Sequence, residues 1–169
     1  MPVNTVTTFI RDTLNGTVLP LALGNLEAVI SPVNPGDGAG ATAYIWGSHG
    51  VEKRQTVPRA QHADLSTGGN KTLTHSCDVW LVWFGSSEED QIDLMFPAIL
   101  DTVMGVLRNV QMLDATQHAH DPVTGQLSNL LNMGENMTWD YGPVRATADQ
   151  RWWRYDAVIN VEVVEIIQA

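Results

Sequence analysis

The sequence is poor in cysteine and in positive charge, and each shortage excludes a class of protein. Cys77 is the only cysteine among 169 residues, so the chain cannot form an intrachain disulfide, and a reducing cytosol suits it. Nine Lys and Arg stand against nineteen Asp and Glu, which gives a formal net charge of −10. Because a protein that coats nucleic acid needs clustered Lys and Arg to neutralise phosphates, the charge argues against that function.

Long hydrophobic runs and charged residues are also scarce. The longest unbroken apolar run, Val79–Phe84, is far short of the ~20 residues that cross a bilayer, so we expect no membrane span. Arg11 is offset by Asp12, and Pro20 interrupts the short apolar stretch that follows, so we expect no signal peptide. Charged residues make up 17% of the chain, against about 25% in a typical domain. A smaller part of the surface than usual is therefore charged, and a partner protein can cover the less polar part.

Length and composition fit one domain. Hydrophobic residues make up 44% of the chain, and a chain of this size buries roughly 70% of the surface that it exposes when unfolded. A core can therefore form without disulfides. The sequence shows no internal repeat and no low-complexity tract, so it predicts a single domain over residues 1–169.

The first part of the chain predicts a helix followed by strands. Apolar residues at helical spacing predict a helix that is capped by Asn4 or Thr5 and ended by Gly16. Leu26–Val33 and Ala41–Trp46 are β-prone and are separated by prolines and glycines, which favours a hairpin. The residues at helical spacing are Val6, Phe9, Ile10, Thr13 and Leu14.

Residues 47–71 predict a long loop rather than a second domain, because they show no sustained period. This segment carries Lys53, Arg54 and Arg59 in an otherwise acidic chain. We expect it to be mobile in the free protein and to become ordered against an acidic neighbouring surface on assembly.

An alternating strand is predicted over Thr72–Phe84. One side of this strand faces the core. The other side begins polar and ends with Trp80, Val82 and Phe84, so something must cover these three groups. The residues on the core side are Leu73, His75, Cys77, Val79, Leu81 and Trp83.

The main helix is predicted over Glu88–Val110, with Ser86 or Ser87 as its cap and Pro97 causing a kink near Asp93–Pro97. Its apolar stripe consists of Ile92, Met95, Ile99, Val103, Val106 and Val110. The negative charges of its first turn, which stabilise the positive end of the helix, are Glu88, Glu89, Asp90 and Asp93. Their place in the first turn of a helix accounts for these four carboxylates, so they are not interpreted as catalytic residues.

The last part of the chain predicts two strands, Asn136–Ala146 and Arg151–Ile167, joined by a turn at Ala148–Gln150. A helical turn is predicted near Leu127–Leu131. On the last strand Trp152 stands out on the polar side. The apolar side holds Trp153, Tyr155, Ala157, Ile159, Val161 and Val163. The order of elements predicts an α+β fold: an antiparallel or mixed central β-sheet with an N-terminal helix and one main helix packed mainly on one face.

The nearest approach to a metal site is His118, His120 and Asp121 with Asp114 close by. A hydrolase needs further ligands at fixed spacing, which the sequence does not supply. A solvated polar loop is therefore the preferred interpretation. A metal-dependent enzyme that uses His118 and His120 is a remote alternative.

Two further patterns lack the context that their chemistry needs. Gly36, Gly38 and Ala41 match the bare pattern of a dinucleotide-binding turn, but the residues that follow are β-prone where a helix is required. His75 and Cys77 share one side of a strand, as a catalytic Cys–His pair would need. That side is the core, where a free Cys is an ordinary small hydrophobe. We therefore predict neither an enzyme nor a bound cofactor.

Apolar surface is the feature that the sequence offers instead. Trp80, Val82 and Phe84 project from the non-core side of one strand and Trp152 from another, and exposed aromatic residues commonly anchor interfaces. The alternative is that the first helix crosses to that side and buries them within the chain. With the basic residues of the loop, the interface candidates are Trp80, Val82, Phe84, Trp152, Lys53, Arg54 and Arg59.

Element order, size, acidic charge and the lack of catalytic motifs together resemble the tail terminator proteins of long-tailed (siphovirus-type) bacteriophages. The similarity covers the early helix, the long loop before the strand His75–Phe84, and the helix Glu88–Val110. It extends to the closing strand pair, which ends Arg154-Tyr155-Asp156-Ala157-Val158-Ile159-Asn160-Val161. The basic segment Lys53–Lys71 is longer than expected for the simplest members of that family.

The resemblance implies an α/β fold with a central sheet, assembled as a hexameric ring on the end of the tail tube. Such a ring stops tube growth and presents the surface to which the head attaches. The implied partners are the tail tube protein and a head–tail connector protein, and the implied location is the head-proximal end of the virion tail after assembly in the host cytoplasm. No catalytic residue or cofactor is implied. An acidic lumen would let DNA pass without specific binding. A head-completion or connector protein, or another minor tail protein, is the alternative within this class.

Overall fold

The computed structural model describes residues 3–31, 40–54, 71–86, 95–109 and 130–167. The elements within these ranges are α1 (Val3–Leu14), β1 (Glu27–Ile30), β2 (Gly40–Arg54), β3 (Lys71–Gly85), α2 (Met95–Asn109), β4 (Leu130–Tyr141), β5 (Arg145–Ala146) and β6 (Trp153–Ile167). One 3-10 turn, Pro20–Ala22, lies between α1 and β1. Neither helix in this part of the chain is long and apolar enough to span a bilayer.

The strands form one mixed sheet in the order β1-β2-β3-β6-β4, with β5 pairing β6. β1 runs parallel to β2, and every other described pair is antiparallel. The predicted α+β class is therefore confirmed, as are the mixed sheet, the N-terminal helix and one further helix.

The parallel pairing of β1 and β2 contradicts the predicted hairpin. Glu27 lies beside Thr42 and Ile30 beside Ile45. Residues 31–39 can reach roughly 30 Å when extended, whereas the four-residue strand β1 rises only about 13 Å. The connection is thus long enough for the chain to return to the beginning of β1 and run alongside it.

The end of α1 holds β1 in place. Gly16, with φ +80°, ends the helix as predicted, because glycine adopts this left-handed conformation at little cost. The Gly16 N–H donates to the Leu26 carbonyl at 2.9 Å. The Ala28 N–H donates to the Asn15 side-chain oxygen at 3.2 Å. These bonds fix the first residues of β1 beside the helix end.

The core lies between the helices and one side of the sheet, which we name the first face. β3 and β6 alternate as predicted, and Cys77, Val79, Ile159 and Val161 are fully buried there. The helices cover this face. Their buried apolar residues are Val6, Ile10 and Leu14 of α1 and Phe96, Ile99, Leu100, Val103, Met104 and Leu107 of α2.

Helix α2 is described over Met95–Asn109, and its buried side differs from the prediction. Of the two predicted caps, Ser86 is an exposed bend directly after β3. Ser87, the acidic residues Glu88–Asp93 and most of the predicted kink near Asp93–Pro97 lie outside the described residues. Met95 and Val106 are only partly buried. The buried side includes Phe96, because its ring packs against aromatic residues of the sheet.

Strands β2 and β3 extend into the segment that the sequence assigned to a loop over 47–71. β2 runs to Arg54 and β3 begins at Lys71, and these two residues face each other across the pair. The register shifts between Gly47 and His49. Because such a bulge breaks the two-residue alternation, the sequence shows no sustained period here. Residues 55–70 lie outside the described residues.

Strand β4 also begins earlier than predicted. It takes in Leu130 and Leu131, so the helical turn expected near Leu127–Leu131 is wrong for these two residues. The register between β4 and β6 shifts between Met133 and Met137. The irregularity removes the alternation from which a strand is recognised in sequence.

Candidate interaction surface

The side of the sheet opposite the helices, which we name the second face, presents aromatic residues. Trp80 of β3 is half-buried between its cross-strand neighbours Tyr44 and Val158. The rings of Trp46 and Trp80 meet edge to face, with centroids 6.2 Å apart and planes at 80°. Val158 is exposed. Trp80 therefore lies on the surface as predicted, within a larger aromatic group.

Arg154, Asp156 and Asp78 of the second face have partners within the chain. Arg154 Nε donates to Asp156 Oδ1 at 2.8 Å, and the two side chains are only 12% and 8% exposed. The guanidinium of Arg154 also lies 5.2 Å from the centre of the Trp80 ring, a favourable cation–π position. Farther along, Asn160 Nδ2 donates to Asp78 Oδ1 at 2.7 Å. These contacts fix the side chains around Trp80 in one arrangement.

Val82 and Phe84 do not project into solvent, so the prediction that they are interface anchors is wrong. They are 1% and 8% exposed. The described helices do not bury them, because the helical side chains belong to the core on the first face. Alternation shows on which side of a sheet a residue lies, but not how large its cross-strand neighbours are. Those neighbours are Thr42 and Asp156 for Val82, and Gly40 and Arg154 for Phe84.

Trp152 is 38% exposed, in agreement with its prediction as a surface residue. It lies just before β6 and lines a cavity of about 280 Å³ together with Leu23, Phe84 and Met95. The cavity is at the end of the sheet where β3 finishes and α2 is first described. Trp152 therefore joins the second face to the helix layer.

A hydrogen-bonded turn positions Trp152. Thr147 N–H donates to the Trp152 carbonyl at 2.8 Å, and Gln150 N–H donates to the Thr147 carbonyl at 2.9 Å. The Thr147 hydroxyl accepts from Trp152 N–H at 3.2 Å and donates to the Asp149 carboxylate. This last bond is the main reason that the pKa of Asp149 lies below its usual value. The predicted turn before the last strand is confirmed.

The two edges of the sheet carry further exposed apolar residues that the sequence analysis missed. Trp139 on β4 is 44% exposed, and Ile30 on β1 is 43% exposed. Trp139 and Tyr141 stand two residues apart on one strand, just before Pro143. A proline at the end of an alternating strand is typical of a sheet edge, so this signal could have identified them. The full set is Val18, Leu21 and Ile30 near β1, and Trp139, Tyr141 and Val144 near β4.

A second cavity, of about 240 Å³, lies beside the β4 edge and is lined mainly by apolar residues, among them Phe96, Pro97 and Val144. Tyr141 also lines it and meets the Phe96 ring edge to face, with centroids 6.1 Å apart. The β4 edge therefore continues directly into the helix layer through contacts between aromatic rings.

Cys77 and His75 both lie on the first face, where they are buried as predicted. Burial, and secondarily the charge of Asp78, raises the pKa of the Cys77 thiol to about 11. Since the thiolate is the reactive form of cysteine, the thiol is a poor nucleophile near neutral pH.

Stability is expected to fall above pH 9 because of Cys77. The thiol of the unfolded chain ionises near pH 9.0, whereas the folded thiol keeps its proton up to about pH 11. Between these values the unfolded state binds fewer protons and is favoured, by roughly 2 kcal/mol at pH 11. Urea unfolding at pH 8 and pH 11 should show this additional loss in the wild type but not in Cys77→Ala. Equal losses in both proteins would contradict it.

The other residues that the sequence analysis singled out lie in strand β2 or outside the described residues. Within the described ranges, no three His, Cys, Asp or Glu side chains are grouped as metal ligands. Ala41–Trp46 is part of strand β2 as predicted, so the helix that a dinucleotide-binding turn needs is absent there. Lys53 and Arg54 belong to the same strand. The candidates that lie outside the described residues are Arg59, Gly36, Gly38, Asp114, His118, His120 and Asp121.

The described surface thus combines a fixed aromatic group on the second face with apolar residues at both edges of one sheet. Surfaces of this kind are suited to contacts with other proteins. No protein-family model and no curated protein matches the sequence.

Proposed function

We propose that this protein is a structural virion protein, the tail terminator of a long-tailed bacteriophage. It forms a ring on the end of the tail tube, stops tube polymerisation and joins the tail to the head. The observation that supports this most is the placement of exposed aromatic and aliphatic residues at both edges of a single sheet, with Trp80 and Trp152 elsewhere on the surface. Such a surface suits repeated contacts between copies and with protein neighbours. The specific role comes from the resemblance in element order.

The protein acts through complementary surfaces and performs no chemical step. One side of the ring contacts the tail tube protein, and the other contacts the head–tail connector. Each copy brings a formal net charge of −10, so the lumen repels DNA and lets it pass without specific binding. The basic end of the β2–β3 pair, with Lys53, Arg54 and Lys71, then contacts an acidic neighbour.

Loss of the protein from its phage is expected to give overlong tails, or tails that never join heads, in electron micrographs. The double variant His118→Ala with His120→Ala should assemble normally, because the proposal gives these residues no role. Tails of normal length that join heads without the protein would refute the terminator role. Tails of normal length beside filled heads that leak DNA would instead favour a head-completion protein.

A further inference from the structure

We infer that copies of this chain associate side by side, with the β4 edge of one copy packed against the β1 edge of the next. We name Trp139, Tyr141 and Val144 the β4 patch, and Val18, Leu21 and Ile30 the β1 patch. The inference rests on the proposed ring-forming function and specifies which surfaces form the ring. Each patch is exposed in the single chain. Among the described strands, none pairs with the outer side of β4 or of β1.

Ile30 of the β1 patch and Trp139 of the β4 patch lie at the same level of the sheet. The recorded register links Ile30 at one edge to Trp139 at the other, in a single row of cross-strand neighbours. The next row on the same face links Ala28 to Tyr141 in the same way. The residues between Ile30 and Trp139 in their row are Ile45, Val79 and Ile159. Since all of these lie on the first face, the exposed side chains at both edges continue the core side of the sheet outward.

This geometry favours a second copy as the occupant of each patch. Both patches are apolar, both belong to one chain, and Ile30 and Trp139 stand on the same face, so the β1 patch of one copy can cover the β4 patch of another. Ile30 and Trp139 lie in one row of the sheet. A second copy can therefore place its Ile30 beside Trp139 of the first by a rotation, with little displacement along the strands. A contact of this head-to-tail kind closes into a ring when no shift accumulates.

The strand directions fit the same arrangement. β1 is parallel to β2, and three successive antiparallel pairings lead from β2 to β4, so β1 and β4 run in opposite directions. A second copy in the same orientation therefore presents its β1 antiparallel to β4. Asn15 already accepts the Ala28 N–H, so side chains rather than a continuous backbone ladder lead the contact.

Charge gives the contact a distinct salt dependence. Each copy carries a formal net charge of −10, so copies repel one another at low ionic strength, and salt screens this repulsion. Association through the apolar patches should therefore strengthen as salt is raised. Association through the basic residues Lys53 and Arg54 would weaken instead, and that result would overturn the inference.

The test uses single charges placed in each patch. Ile30→Lys disables the β1 patch and Trp139→Lys disables the β4 patch, and either change should weaken self-association by more than about 30-fold in analytical ultracentrifugation. Leu21→Glu and Tyr141→Lys provide independent second variants, and circular dichroism verifies that each variant is folded. Asn109→Lys, at an exposed site at the end of α2, is the control and should associate like the wild type.

Mixing the variants separates a head-to-tail contact from a symmetric one. Ile30→Lys keeps an intact β4 patch and Trp139→Lys keeps an intact β1 patch, and two lysines repel at the other contact, so the mixture should form heterodimers and nothing larger, while each variant alone stays monomeric. Dimers of either variant alone would show a symmetric contact and overturn the inference. So would wild-type protein that remains monomeric at high concentration and high salt.

The same variants distinguish this inference from the proposed function. If they assemble like the wild type and still terminate tails, the edge contact is wrong and the function stands. If they behave as expected in solution but the wild type does not limit tail length, the function is wrong and the edge contact stands.

Discussion

Tyr155→Ala is expected to lower the free energy of unfolding by about 3–5 kcal/mol, a large part of the stability of an ordinary domain. Tyr155 is 2% exposed, and its ring centre lies 5.1 Å from that of Trp83 and 5.6 Å from that of Phe96. The ring therefore joins two sheet strands to α2. Its removal leaves a void between large rings that cannot easily move together, which makes the substitution costly.

Tyr155→Phe is the matched control because it keeps the ring and nearly all of the volume. Its cost should be below about 1.5 kcal/mol, as for other substitutions that conserve volume. Urea denaturation followed by tryptophan fluorescence measures both variants. Equal losses in the two would show that the ring contributes little, contrary to its place among Trp83 and Phe96.

Asp156→Ala should cost a similar amount, about 3–5 kcal/mol, for a different reason. It takes the 2.8 Å carboxylate contact away from Arg154, whose side chain is only 12% exposed. The nearly buried guanidinium beside Trp80 then loses this contact with a carboxylate. Removing one member of a buried ion pair is strongly destabilising because the desolvated charge of the other remains.

The double variant Arg154→Met with Asp156→Ala tests this explanation. It removes both charges while keeping an apolar stem of similar length over Trp80. Its free energy of unfolding should recover by at least about 1.5 kcal/mol relative to Asp156→Ala alone, since buried pairs are often replaced by apolar groups at small cost. A double variant that is less stable than Asp156→Ala would contradict the buried-charge mechanism.

The central part of the fold could be predicted because its strands are regular. β3 and β6 are long, paired with each other without a register shift and covered by helices on one face, so first-face and second-face residues alternate along both strands. The positions of Cys77, Val79, Ile159 and Val161 follow from that alternation alone. Gly16 likewise marks the end of α1 through its local conformation. Each of these features is decided by neighbours close in sequence or by a simple period.

The rest depends on contacts that no local pattern contains. The parallel pairing of β1 with β2 is one of these, and so are the bonds that hold the start of β1 beside α1, in which the Asn15 side-chain oxygen accepts from Ala28 N–H and Gly16 N–H donates to the Leu26 carbonyl. Bulges near Gly47 and Met133 erase the two-residue period from strands that are nonetheless formed. The buried side of α2 depends on Trp83 and Tyr155 of the sheet, whose rings pack against Phe96.

The candidate surface likewise has residues whose position could be predicted from the sequence and residues whose position could not. The surface positions of Trp80 and Trp152 could be predicted because a large apolar residue on the polar side of a strand is visible in sequence. Val82 shares that side, yet it is buried, since its exposure depends on Thr42 and Asp156 in the adjacent strands. The edge residues could be recognised only once the strand order placed β1 and β4 outermost.

The strand order also has a consequence for the nascent chain. β6 is made after every other described strand, yet it lies between β3 and β4. Until it emerges from the ribosome, β4 lacks this partner and β3 leaves one side unpaired along its most apolar stretch. Pairings so distant in sequence form slowly, and an unpaired apolar strand invites aggregation during that delay. The growing chain is therefore expected to aggregate more readily before β6 is made than after β6 has inserted between β3 and β4.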